Sequence, residues 1–158
     1  MRRRNSFLVT LLAAVALAPA SSAVPPCTYE EKTLDLSNSI VALGDDVGAT
    51  IERAEGLSDQ RLYRRFRRYG QRMRRFELRA RRLRAIAPEE LVGAHVAFRT
   101  SLTPVRRDLF DIARAAKQSN ADAARRATVS LVHHSRALRR DRHTLVRKVR
   151  ARLDQGDC

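Results

Sequence analysis

Residues 61–84 read RLYRRFRRYGQRMRRFELRARRLR. Within and just beyond this stretch, apolar side chains fall at Leu62, Phe66, Tyr69, Met73, Phe76, Ala80, Leu83 and Ala87, in alternating steps of four and three. Such steps stack side chains on one stripe of an α-helix. Nearly every position off the stripe is Arg. The segment therefore reads as an amphipathic helix with one apolar face and one guanidinium face. Period-two alternation, the mark of a half-buried strand, is supported nowhere in the chain.

The same period recurs on both sides of this segment. Residues 28–55 place Leu36, Ile40, Leu43, Val47, Ile51 and Ala54 on one stripe, and residues 89–118 place Leu91, His95 or Ala94, Phe98, Leu102, Val105, Leu109, Ile112 and Ala116. Residues 121–153 add Ala124, Ala127, Leu131, Ser135 or His134, Leu138, Leu145, Val149 and Leu153. Punctuation falls between them. Gly56-Leu57-Ser58 separates the first pair, with Ser58 suited to cap the second helix. Pro88 suits the opening of the third, followed by Glu89 and Glu90 at the positive end of its dipole. Ser119-Asn120 separates the last pair. Pro104 inside the third stretch forfeits a backbone hydrogen bond and is expected to kink it. Links this short force sequential helices to run antiparallel. The expected fold is all-α: an up-down-up-down antiparallel four-helix bundle with helices near 28–55, 59–87, 89–118 and 121–153.

Composition agrees. The chain has 158 residues, 44% hydrophobic and 31% charged, with 6 Gly, 5 Pro and no Trp. Few Gly and Pro argue against a turn-rich β domain, and the apolar share is too high for a disordered chain. Two Cys cannot supply a four-thiolate zinc site or a disulfide-dense mini-protein.

Residues 1–23, MRRRNSFLVTLLAAVALAPASSA, have the layout of a secretory signal peptide. Arg2, Arg3 and Arg4 form the basic region, Phe7 to Ala18 the apolar region, and Ala18-Pro19-Ala20 and Ser21-Ser22-Ala23 offer small-residue cleavage sites. The apolar run falls short of the ~20 residues that span a bilayer. Arg3-Arg4 half-resembles a twin-arginine signal, and Pro25-Pro26 argue against a lipid anchor on Cys27. The reading is an exported protein, secreted or held in the cell envelope, with residues 24–158 as one bundle and no transmembrane segment in the mature chain. An oxidising destination favours pairing of the two Cys. Antiparallel topology brings both chain ends to one end of the bundle, so Cys27 and Cys158 are expected to form a disulfide joining the termini.

The formal net charge is +15, of which cleavage of the leader would remove three arginines. What remains is uneven. The first helix is acidic: Glu30, Glu31, Asp35, Asp45, Asp46, Glu52 and Glu55 face only Lys32 and Arg53. The second carries Arg61, Arg64, Arg65, Arg67, Arg68, Arg72, Arg74, Arg75, Arg79, Arg81, Arg82 and Arg84 against Asp59 and Glu77. Guanidinium matches phosphate and carboxylate with a two-pronged fork, so this face is the candidate anion-binding surface. Its partners would be an anionic polymer, a lipid headgroup or an acidic protein. The acidic first helix, lying beside it, should neutralise part of the charge. A helix charge run is also what an ordinary solvated face looks like, and Arg replaces Lys almost throughout the chain.

Chemistry-bearing motifs are missing. The His residues at 95, 133, 134 and 143 sit in no Glu-x-x-His, His-Glu-x-x-His or Cys-x-x-Cys-His arrangement. Met73 and His95 could serve as haem ligands by residue type alone, and His143 with Asp141 nearby could meet a metal at the surface. His95, on or beside the apolar stripe, reads more simply as a packed core-edge residue. No nucleophile motif or phosphate loop occurs, and the adjacent acids Asp45-Asp46 and Glu89-Glu90 point to different sides of a helix. The reading is a non-enzymatic protein with no cofactor. A chaperone or stress protein of the periplasmic kind is the first alternative, and a haem or metal carrier the second.

Two stretches resemble known groups. LRAIAPEELVGAHVAF, from Leu83 to Phe98, resembles a helix-ending pattern in small uncharacterised exported helical proteins of high-GC bacteria, with Ile86 where the second Leu of Leu-x-x-Leu-x-Pro would stand. That resemblance implies a bundle and no activity. Leu102-Thr103-Pro104-Val105 resembles half of the Leu-Thr-x-x-Gln motif of small helical periplasmic chaperones, but Arg106 stands where Gln belongs. Leu57-Ser58-Asp59-Gln60 misses the motif's spacing.

Overall fold

The computed structural model describes residues 27–156, so the leader at 1–23 and Cys158 lie outside the described residues. Four α-helices account for most of the described residues: α1 (Thr28–Glu52), α2 (Asp59–Leu83), α3 (Val92–Lys117) and α4 (Ala121–Gln155). Short 3-10 turns at Ala54–Gly56, Arg84–Ile86 and Glu89–Leu91 finish or start the α-helices. The expected spans thus overran at these ends, because a 3-10 turn keeps nearly the same side-chain spacing as an α-turn. The fold is an all-α bundle.

Local chemistry explains the boundaries. The Ser58 hydroxyl accepts from the Arg61 N–H, and the Asn120 carboxamide oxygen accepts from the Ala123 N–H at 2.9 Å. Asp59 and Asp122 sit in the first turns of α2 and α4, where the helix dipole favours an acid. α3 ends when Ser119 enters the left-handed region (φ 49) and the Asn120 N–H returns to the Ala115 carbonyl at 3.0 Å. Gly156, at φ 72, closes α4 in the same way. Pro104 lies inside α3, and the helix continues through it to Lys117.

Cross-helix bonds fix the topology. From α1 to α2, Thr50 meets Tyr69, Asp46 meets Arg72 and Asp35 meets Arg79. From α2 to α3, Glu77 meets Arg106 and the Ala80 carbonyl meets His95. Ser130 and His134 of α4 meet Asp108 of α3, and Arg142 and Arg152 of α4 meet Ser37 and Glu30 of α1. For α1–α2, α2–α3 and α1–α4, numbers rise on one helix as they fall on the other, and the short turn at 118–120 folds α4 back on α3. Neighbouring helices are therefore antiparallel, and α4 returns to α1.

The core follows the stripes read from the sequence. Leu36 and Leu43 of α1, Phe66 and Met73 of α2, Phe98, Leu102 and Leu109 of α3, and Leu145 and Val149 of α4 are all buried. Full burial of one such side chain is worth ~1.5–3 kcal/mol, which makes these stripes the main stabilising feature. The distal stripe residues Ile51, Leu62, Ala87 and Leu153 are only half-buried. At Gly70 of α2 the Phe110 ring of α3 sits so near that an added Cβ would lie 2.9 Å from it.

Candidate anion-binding face

The twelve arginines between Arg61 and Arg84 divide by direction. Arg65, Arg72 and Arg79 stand seven residues apart, on the flank of α2 turned to α1. There Arg72 pairs with Asp46 at 2.7 Å, Arg79 with Asp35 at 2.6 Å, and Arg65 donates to the Thr50 hydroxyl at 3.4 Å. The acidic first helix thus neutralises part of the charge, as its composition suggested. These pairs are partly exposed, so each adds little to stability.

The remainder face away. Arg61, Arg64, Arg68, Arg75 and Arg82 are exposed and make no ion pair among the described residues. At 100° per residue they form one strip, and from Arg64 to Arg82 it runs ~27 Å along the helix. Arg67, Arg74 and Arg81 form a second row, toward α3. Arg67 donates to the Tyr63 hydroxyl and lies over its ring at 5.9 Å, and Lys117 of α3 approaches the same ring at 6.0 Å. Arg81 lines a shallow groove between α2 and α3 with Arg99, Thr100, Thr103 and Pro104. Arg84 is exposed in the turn that follows.

The arrangement presents fixed positive charge at intervals of one to two helical turns, on a rigid and well-packed element. Such a row raises the local concentration of anions and favours those whose own charges repeat along a line.

His95 is fully buried, deeper than the core-edge position its place on the stripe implied. Its Nε2–H donates to the Ala80 carbonyl at 2.8 Å, and its Nδ1 accepts from the Tyr29 hydroxyl at 2.9 Å. Burial, with Arg84 and Arg99 nearby, holds its pKa below the ordinary value despite the Ala80 bond. Burial likewise pushes the Tyr29 hydroxyl up to about 12. Both ring nitrogens of His95 are thereby occupied, leaving no lone pair for a haem or metal. Met73 is packed in the core. His143 is exposed, in a groove with Val146, Arg147, Arg150 and Asp154. Among the described residues no group of three or more His, Cys, Asp or Glu could hold a metal ion. None of the described helices is long and apolar enough to cross a membrane.

Two polar clusters were not anticipated. Asp108 is buried, accepting from the Ser130 hydroxyl at 2.9 Å and the His134 Nδ1–H at 2.7 Å. This is not a catalytic triad: the Ser hydroxyl binds the carboxylate directly instead of the far ring nitrogen. At the opposite end of the bundle, Arg152 of α4 donates to the buried Glu30 at 3.1 Å and also to Glu90, joining three segments. Cys27 stands just before α1, three residues from Glu30; its expected partner Cys158 lies outside the described residues.

No protein-family model matches the chain, and no curated protein or solved structure matches it.

Proposed function

We propose that this chain is an exported, non-enzymatic helical-bundle protein that binds anionic components of the cell envelope through the outer face of α2. The observation that carries the reading is the division of the arginines. Three are used to hold α1, while the strip from Arg61 to Arg82 stays outward and free of acids. If the strip were only a by-product of Arg-rich composition, α1 could have been placed to neutralise it; instead Asp35 and Asp46 meet the inner flank. A signal-like leader ahead of residue 24 and a covalent Cys27–Cys158 tie complete the proposal. The tie is supported by the contact between Glu30 and Arg152, which brings the start of α1 to the end of α4.

The chaperone and carrier alternatives have less support. Large exposed apolar side chains among the described residues are Val41, Leu78, Val96, Val129 and Val132, spread over all four helices.

A single-stranded oligonucleotide, used as a linear polyanion of defined charge, tests the face against an anionic vesicle. Binding should weaken linearly in log–log form as salt rises, and R64Q/R68Q/R75Q/R82Q should reduce the slope by about 3. Salt-insensitive binding, or an unchanged slope in the quadruple variant, would overturn the reading. The probe that binds more tightly distinguishes a polymer from a headgroup.

A further inference from the structure

A cleft of about 390 Å³ opens along the seam between α1 and α4 and reaches the bundle core. It arises where the fold brings small side chains on two helices face to face. On α4 the stripe runs Leu131, Ser135, Leu138 and then Arg142 before Leu145, so two positions lack a large apolar side chain. On α1 the seam carries Gly44, where an added Cβ would meet nothing within 4 Å. Small residues thus stand on both sides of the seam, and neither helix fills the space between them.

The interior and the mouth differ in chemistry. Inside, the wall is apolar, with Leu43, Val47, Leu109 and Leu138 among its residues. At the rim stand Arg139 and Arg142 with one acid, Asp45. Arg142 donates one N–H to the Ser37 hydroxyl at 2.9 Å. Neither arginine forms an ion pair among the described residues. The volume lies within the ~300–1,000 Å³ usual for small-molecule sites, which combine apolar walls with a few polar groups that fix orientation. An unfilled apolar void forfeits dispersion contacts along its whole lining, which an inserted hydrocarbon would restore. A ligand complementary to both parts has a narrow hydrocarbon body and a single anionic head.

We infer that the α1–α4 cleft binds one acyl chain headed by a carboxylate, with the chain against Leu43, Leu109 and Leu138 and the head at Arg139 and Arg142. The site is distinct from the α2 face.

Calorimetric titration of the purified chain with dodecanoate, kept below its micelle concentration, tests the assignment. Saturable binding at one site is expected. Gly44→Phe and Ser135→Leu, which fill the cleft from opposite walls, should each weaken it at least tenfold while circular dichroism shows a folded bundle. Arg139→Gln should weaken dodecanoate several-fold and leave dodecanol unchanged. R64Q/R68Q/R75Q/R82Q should bind dodecanoate like the parent. Absence of saturable binding overturns the inference, as does undiminished binding by a folded cleft-filling variant. Dodecanol binding as tightly as dodecanoate overturns the role of the arginines, and loss of binding in the quadruple variant moves the ligand to α2.

Discussion

Lowering the pH should destabilise the bundle through His95, and the sign follows from its surroundings. In the unfolded chain this imidazole titrates near the ordinary ~6.5. In the bundle its pKa lies lower, because burial and the nearby Arg84 and Arg99 disfavour the cation. Its Nδ1 is the acceptor for the Tyr29 hydroxyl, so a second ring proton would also break that bond. Between the two pKa values the unfolded state binds more protons, and stability rises with pH. The contribution is therefore complete above ~6.5 and is lost as pH falls from there to the folded-state value, with a slope of up to ~1.4 kcal/mol per pH unit. The measurement is a difference between parent and variant, so that only the His95 contribution is read. His95→Gln retains one donor for Ala80 and one acceptor for Tyr29 but cannot titrate. Urea unfolding followed by far-UV circular dichroism, from pH 8 down to 5, gives the two curves. The parent should lose stability faster than His95→Gln below ~6.5. Parallel curves would refute the argument.

The glycines of α1 and α2 should respond oppositely to alanine. Gly44→Ala, with nothing within 4 Å, should stabilise by up to ~1 kcal/mol, whereas Gly70→Ala places a methyl 2.9 Å from the Phe110 ring and should cost ~1–3 kcal/mol, both read from thermal unfolding. Phe110→Leu should recover part of the Gly70→Ala loss. His134→Ala removes a donor from the buried Asp108 carboxylate and should cost ~1–3 kcal/mol in chemical denaturation, with a smaller effect when Asp108 is already Asn. Thiol counting on the unreduced monomer should find no free Cys; two free thiols would refute the Cys27–Cys158 tie.

Most of the fold was legible because helical spacing is a local property. The run from Leu62 to Leu83 needs no partner to reveal its stripe, and Ser58 and Asn120 cap where short polar side chains suit helix starts. The ends were less legible: Arg84–Ile86 and Glu89–Leu91 are 3-10 turns that keep apolar residues near the expected positions. The direction of each arginine could not be read from α2 alone, since the flank holding Arg65, Arg72 and Arg79 becomes special only when α1 supplies Thr50, Asp46 and Asp35. Asp108 left a usable signal. It stands three residues after Val105 and four before Ile112, on the inward side of α3, and folding the chain back about residue ~119 brings it level with Ser130. Gly70 and Phe110 correspond in the same way across the link at Pro88. The cleft was not readable, because a missing side chain becomes a void only when the opposite wall is also small.

The knot at Arg152 also bears on the order of assembly. Its bond to Glu30 spans 122 positions along the chain. The start of α1 can meet α2 and α3 early, through Asp35–Arg79 and Tyr29–His95, but its bonds to α4 wait for Arg142 and Arg152. Completion of the last helix is therefore the event that shuts the bundle. Until then Glu30 lacks its Arg152 partner, and the side of α1 that faces α4 stays open.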